Sequence, residues 1–322
     1  MTRYVLRRLV HAVGLLALIS LLSFVFLHLA PGNYADAMRL DAQISSETLS
    51  AWRSRYGLDQ PLAIQYLRWL RSVFRGEFGF SFAYGIPVGS LLWPRIKNTL
   101  LRTSLAFVVS WSAALPIGVA AAASRNRAFD SFFRGGIALL HSIPDLLIAL
   151  GLLMLAVRTG GFPVGGITGP ATSLPAFART GDLAAHLVLP VLALVLISLP
   201  LLVRHVQAAV QESLASPFLQ AARAHGIPRR RLWLAYTLPV AANPLISLFG
   251  YSIGGLLSAS LLVEVIMGWP GLGPLLLEAI FSRDIYVVIG TTLLSALFLV
   301  TGNLIADLLL YAVDPRIRRE KR

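Results

Sequence analysis

Long uninterrupted apolar runs dominate this chain, where a soluble domain would show short alternating or 3.6-residue patterns. A helix needs about 20 consecutive apolar residues to cross the hydrocarbon core of a bilayer. Six stretches meet that length, at roughly 9–29, 98–124, 135–157, 183–203, 238–267 and 286–312, and each is expected to be a spanning helix. The first run follows Arg3, Arg7 and Arg8. It exceeds the apolar core of a signal peptide, and no Ala-x-Ala site follows it, so it reads as a retained anchor. The expected fold class is an all-α membrane protein with six transmembrane helices.

The segments between the runs are less uniform. Within 30–97, Ser45 or Ser46 can cap a short helix that stops near Gly57. Pro61 then opens a second helix that Gly76 ends, with Leu62, Tyr66, Trp69, Leu70, Val73 and Phe74 on one face. That helix rests on the membrane–water boundary or belongs to a small folded cap. The 158–173 segment is rich in Gly and Pro and reads as a loop. The segment 204–237 is too polar to span. Val206, Val210, Leu214, Phe218 and Ala222 recur every four residues there, with Leu219 beside them. Gly226 breaks that period, Ile227-Pro228 restarts it, and Arg229-Arg230-Arg231 follows. A helix, a glycine turn and a second helix make a projecting knob, unless this is an ordinary amphipathic linker.

Composition supports the membrane reading. Of 322 residues, 56% are apolar and 13% charged, with a mean hydropathy of +0.72; a soluble domain carries about 25% charged residues. There is no cysteine, which excludes disulfides, thiolate nucleophiles and Cys-ligated metals. The net charge of +13 is read as a basic cytoplasmic face and not as a nucleic-acid surface. Lys and Arg number 16 across segments 1–8, 125–134, 204–237 and 313–322, and 11 across the longer segments 30–97, 158–182 and 268–285. The first set is therefore expected to be cytoplasmic, with both termini.

No reactive constellation accompanies the spans. A Gly-x-x-x-x-Gly-Lys-Ser/Thr phosphate loop, a His-Glu-x-x-His and a Gly-x-Ser-x-Gly are all missing. No catalytic or metal-binding residue is assigned, and the chain is expected to bind no cofactor. Asp145 lies after Pro144 in the third run, and a charge at the bilayer centre costs at least about 2.5–3.5 kcal/mol. With His141 four residues earlier, on the expected same helical face, it is either a pathway-lining group or a helix–helix hydrogen bond beside a kink. Arg102, about one turn into the second run, is expected to snorkel to the surface. Gly250, Gly254 and Ser258 form a small-residue stripe, a candidate helix interface between subunits or within the chain. Pro116, Pro190 and Pro200 permit kinks.

Several motifs carry a family resemblance. Gln220-Ala221-Ala222-Arg223-Ala224-His225-Gly226, with Leu238-Pro239 beyond, resembles the Glu-Ala-Ala-x-x-x-Gly loop of ABC importer permeases; Gln220 stands where that pattern has Glu. Arg3-Tyr4-Val5-Leu6-Arg7-Arg8-Leu9, Leu29-Ala30-Pro31-Gly32, Tyr56-Gly57-Leu58-Asp59-Gln60-Pro61, Gln65-Tyr66-Leu67-Arg68-Trp69, Val263-Glu264-Val265-Ile266, Trp269-Pro270-Gly271-Leu272-Gly273, Asp307-Leu308 and Asp314-Pro315-Arg316-Ile317-Arg318 look like the dipeptide/oligopeptide/nickel branch. Those motifs, in order, cover nearly the whole chain. That branch more often has an apolar residue at the position of Asp145, which is therefore not carried over.

The resemblance implies a type I ABC importer-like bundle in the cell inner membrane. It implies an N-terminal helix plus external segment over 1–97, a five-helix core over 98–312 with the loop 204–237, and a basic cytoplasmic tail over 313–322. It further implies a second permease subunit, non-identical in most members. Two ATPase subunits carrying ATP and Mg would bind the loop at Gln220, Ala221, Ala222, Arg223 and Gly226, and an external solute-binding protein would deliver short peptides, nickel or a related solute. An ion-coupled secondary transporter is the alternative from another energy class, with His141 and Asp145 as its only ion site; a membrane-embedded enzyme is a third.

Overall fold

The computed structural model describes residues 2–29, 60–124, 126–167 and 176–313. The expected helix ending near Gly57 and the motif at 314–318 lie outside the described residues. The helices are α1 (Thr2–Leu29), α2 (Leu62–Val73), α3 (Val88–Ala123), α4 (Arg127–Ser142), α5 (Asp145–Thr159), α6 (Ala176–Ala215), α7 (Pro217–Ala224), α8 (Arg229–Arg231), α9 (Leu238–Ile266), α10 (Leu272–Phe281) and α11 (Ile285–Val313). Strands β1 (Phe80–Ser81) and β2 (Ile86–Pro87) form an antiparallel hairpin. Among the described residues, five helices are long and apolar enough to cross a membrane, and a bent pair makes a sixth candidate span.

That bent pair is the third expected span. Its helix stops at Ser142 and restarts at Asp145 with a 93° bend. Pro144 is the cause: its ring bars the preceding residue from helical geometry and it supplies no N–H to the ladder. Other spans outrun their apolar runs. α3 begins at Val88, ten residues before the run, and α6 continues to Ala215, twelve residues past it. Backbone hydrogen bonding carries a helix on wherever no breaker intervenes, whether or not the residues are apolar. Pro190 and Pro200 lie inside α6 without ending it.

The chain divides into two compact units, Met1–Thr99 with Pro270–Phe298, and Leu100–Trp269 with Leu299–Arg322. In the first, Phe24 of α1, Trp69 of α2 and Ile289 of α11 are buried together. Asp284 anchors the hairpin by accepting from Ser81 Oγ at 2.6 Å and from the Ala83 amide at 3.1 Å. The Leu272 amide opening α10 donates to Thr99 Oγ1 at 2.9 Å. The inner face of α2 differs from expectation. Gln65 and Trp69 are buried, whereas Leu62 and Phe74 are exposed, because the helix is rotated to seat Trp69 against Phe24.

The second unit has two cores. One gathers Ala149, Ala156, Leu194, Leu256, Val263 and Trp269. The other gathers Trp111, Leu202, Val206, Val210, Ala241 and Leu248. Trp111 Nε1 donates to Ser252 Oγ at 3.0 Å, and Phe107 meets Phe249 edge-on at 4.6 Å. Close approach is bought with glycine. A Cβ on Gly118 would fall 2.6 Å from Val206 Cβ, and one on Gly250 would fall 2.1 Å from Ala306 Cβ.

Candidate functional site: the projecting loop and a buried ion pair

The projecting loop is built from the end of α6. The helix breaks at Ser216, where Pro217 starts α7 and Ser216 Oγ donates back to the Ser213 carbonyl at 2.6 Å. This break re-phases the four-residue period. Val206 and Val210 are fully buried in α6, but past the break Leu219 takes the buried position and Phe218 is 46% exposed. Leu219, Ala222 and Leu232 form a separate small core with Leu214, Ile227 and Tyr236 around it.

At the end of α7, Gly226 takes φ +73°, a left-handed conformation that costs a residue with a Cβ about 1–2 kcal/mol. The turn closes through the Ile227 amide to the Ala222 carbonyl (3.3 Å) and the Gly226 amide to the Arg223 carbonyl (3.0 Å). Pro228 then caps α8, which widens into a π turn over Leu232–Thr237. Pro239 offers no N–H to the carbonyl one turn before it, which favours that widening. Thr237 Oγ1 donates to the Leu232 carbonyl inside the wide turn, and Ser213 Oγ donates to the Thr237 carbonyl at 3.1 Å, tying α6 to the returning helical turn of the knob.

Every expected contact residue except one is on the outside. Gln220, Ala221, Arg223 and Gly226 are exposed, while Ala222 faces the small core. Gln220 Nε2 folds back to the Ala215 carbonyl at 3.1 Å. A cleft of about 400 Å³ separates the knob from the end of α3, lined by Ala122, Ala123 and Ser124 on one side and Arg223, Ile227 and Arg229 on the other. The knob thus has its own small core on both sides of the Gly226 turn, and one hydrogen bond ties it to α6.

Inside the spans the structure assigns a pair that the sequence reading missed. Arg102 does not snorkel. It is 0% exposed, and its Nη2 reaches Glu264 Oε1 at 3.0 Å, Ser260 O at 2.9 Å and Ser260 Oγ. Thr103 Oγ1 bonds to Ser260 Oγ at 3.1 Å. Because α3 starts at Val88, Arg102 lies about 21 Å along its helix and not one turn in. Glu264 lies 162 positions away, so only the packing of α3 on α9 makes them partners. The i, i+4 spacing of Ser260 and Glu264 was the available sign of a polar face on α9.

The other sequence candidates are placed as follows. His141 sits near the end of α4 and Asp145 begins α5, so they are on opposite arms of the bend and not on one helical face; both are exposed. Asp145 stands in the first turn of α5, where a carboxylate is favoured by the helix dipole. Gly250 and Gly254 face α11 of the same chain, against Ala306 and Leu299, while Ser258 is exposed. Among the described residues, no group of three or more His, Cys, Asp or Glu is placed to hold a metal ion.

Comparison with known proteins places this architecture. Residues 114–319 match the model of the binding-protein-dependent transport system inner membrane component, and residues 1–89 match that of its N-terminal portion. The chain is 35% identical to the oligopeptide transport system permease protein AppB of Bacillus subtilis, over 98% of this chain and 99% of that one. It is 33% identical to the dipeptide transport system permease protein DppB of Escherichia coli, over the whole of both. Its fold is similar to that of the inward-facing MetNI methionine ABC transporter (TM-score 0.55, 19% identity, 70% of this chain and 96% of that one). It is also similar to an amino acid ABC transporter (TM-score 0.54, 18% identity, 69% and 94%). A non-enzymatic helical chain with five or six candidate spans, a projecting helix–Gly–helix knob and matches along nearly its full length belongs to the family of inner-membrane components of binding-protein-dependent transport systems.

Proposed function

We propose that this chain forms half of the translocation pathway of an ATP-driven importer for short peptides. The carrying observation is the knob at Pro217–Arg231. Its underside is packed on Leu219, Ala222 and Leu232, and its outer surface presents the small Ala221 and Ala224 between the polar Gln220 and Arg223. Such a surface admits a partner closely and transmits that partner's motion through α6 without deforming. Two separate ATPase subunits, carrying ATP and Mg, bind there. Their closure biases the bundle between two discrete states, and the pathway alternates its opening.

A second, non-identical permease subunit completes the pore, and a solute-binding protein delivers cargo at the opposite face. Both termini and the knob are cytoplasmic, in keeping with the density of Lys and Arg in those segments. Peptide cargo is inferred from relatives named for oligopeptide and dipeptide transport at 33–35% identity along their length. His141 and Asp145, exposed on either side of the bend, are candidate pathway groups.

The test is co-purification and uptake. The intact chain is expected to bring down an ATPase with a phosphate loop, and a deletion strain is expected to lose peptide uptake and keep nickel uptake. Gly226→Trp should abolish transport while the protein remains in the membrane. Uphill accumulation by the lone chain in vesicles refutes the proposal.

A further inference from the structure

Helix α2 has a second face that the fold leaves uncovered. Its inner side holds Tyr66, Trp69, Leu70 and Val73 against α1 and α11. The opposite side carries Ile64 and Leu67, and Phe74 continues it just past the last helical residue, at 39%, 61% and 82% exposure. Interleaved with them are Arg68, Arg71 and Arg75, also exposed and spaced at i, i+3 and i+7. No acidic residue occurs in Leu62–Val73. Apolar residues alternating with cations on one helical face is the pattern of an element lying in a membrane interface.

The seating of α2 sets its depth. The Tyr66 hydroxyl hydrogen-bonds Ser20 Oγ at 2.9 Å and approaches the Ala17 carbonyl at 3.4 Å. Phe24 meets the Tyr66 ring edge-on at 5.5 Å and lies 6.4 Å from the Trp69 ring. Ser20 and Phe24 both belong to the apolar span Leu6–Phe26. At 1.5 Å per residue they lie about 14 Å and about 8 Å short of the end of α1 at Leu29. Helix α2 is therefore fastened to the last turns of a spanning stretch, and Trp69 Nε1 also donates to the Phe78 carbonyl at 3.1 Å.

We propose that the outward face of α2 is a phospholipid-docking surface, with Ile64, Leu67 and Phe74 at the acyl boundary and Arg68, Arg71 and Arg75 on the phosphates of anionic lipids in the leaflet where α1 ends. Arginine suits this role because its planar fork binds phosphate oxygens in pairs, and its alkyl stem packs along acyl chains while its head stays at the surface. A docked protein is the other class of occupant. The depth of the Tyr66–Ser20 contact disfavours it, since a partner arriving from water would have to displace lipid headgroups to reach this face. The inference uses the proposed function only in that the chain is membrane-embedded; cargo and ATPase do not enter it.

The chain has no cysteine, so single-cysteine variants of the full-length protein need no background removal. Leu67→Cys and Phe74→Cys carry a nitroxide label in vesicles of phosphatidylethanolamine and phosphatidylglycerol, with His225→Cys as the aqueous control. Labels at 67 and 74 are expected to be relaxed by oxygen and shielded from a water-soluble nickel chelate, the reverse of the control. Nickel-accessible labels at both positions overturn the proposal. So do labels that become shielded from both reagents only when a solute-binding protein is added. Replacing Arg68, Arg71 and Arg75 by Gln should reduce the phosphatidylglycerol enrichment of co-purified lipid by about fivefold per arginine, with uptake measured separately. Unchanged enrichment removes the phosphate contact from the proposal, whatever the uptake result.

Discussion

Breaking the Arg102–Glu264 pair from one side should be far more damaging than replacing both residues. Arg102 and Glu264 are each 0% exposed and 3.0 Å apart, and removing one partner of a buried pair leaves the other's desolvation uncompensated. Arg102→Leu leaves the Glu264 carboxylate without its cation. Glu264→Leu leaves the guanidinium with only the Ser260 acceptors, and its Nε and Nη1 already lack hydrogen-bond partners. Each single change should therefore destabilise by about 3–5 kcal/mol, whereas Arg102→Leu with Glu264→Leu should fall near wild type or above it, because two desolvated charges are removed together. The coupling energy in a double-mutant cycle should exceed about 2 kcal/mol, beyond the usual range for an exposed pair. The assay is reversible unfolding of the full-length chain in mixed micelles with increasing denaturing detergent, followed by tryptophan fluorescence. Single variants within about 1 kcal/mol of wild type, or additive effects in the double variant, would refute the reasoning and put Arg102 in contact with solvent or headgroups.

Two further outcomes are expected. Gly250→Ala should cost about 1–3 kcal/mol because its new methyl would meet Ala306 Cβ, which cannot move without its helix. Gly254→Ala should cost less because its methyl would meet the rotatable Leu299 Cδ1, and the same detergent titration reads both; equal costs would mean that α9 and α11 are not held at this distance. Tyr84, partly buried and donating to the Glu278 carboxylate, has its hydroxyl pushed up to about 12. The folded state therefore keeps that proton after the unfolded chain has lost it near pH 10, so this corner's contribution is whole below pH 10 and declines as pH rises toward 12. The difference absorbance titration of wild type against Tyr84→Phe should show one tyrosine ionising near pH 12, and a component near pH 10 would contradict the Glu278 contact.

The span pattern was legible because the bilayer imposes a length that an apolar run either meets or does not. Five runs became continuous helices, and their ends differed where polar residues extended a ladder that hydropathy does not register, as at Val88 and Ala215. The knob was legible for a local reason: a glycine and a proline punctuate it at Gly226 and Pro228, and φ at Gly226 depends on that residue's own lack of a Cβ. Its rotation was not legible, since the break at Ser216 shifts which side chain faces inward and exchanges Phe218 for Leu219.

Packing alone decided the rest. Whether Pro144 kinks a helix or divides it at 93° depends on what receives the freed backbone groups. Whether Arg102 snorkels or pairs depends on a carboxylate 162 positions distant. The stripe at Gly250 and Gly254 is the same letters for an internal contact or an external one, and the presence of Ala306 and Leu299 opposite makes it internal. Local chemistry and solvent length are written along the chain, one residue or one run at a time. Partnership between distant residues is a property of three-dimensional distance, which a single sequence does not encode in any local pattern.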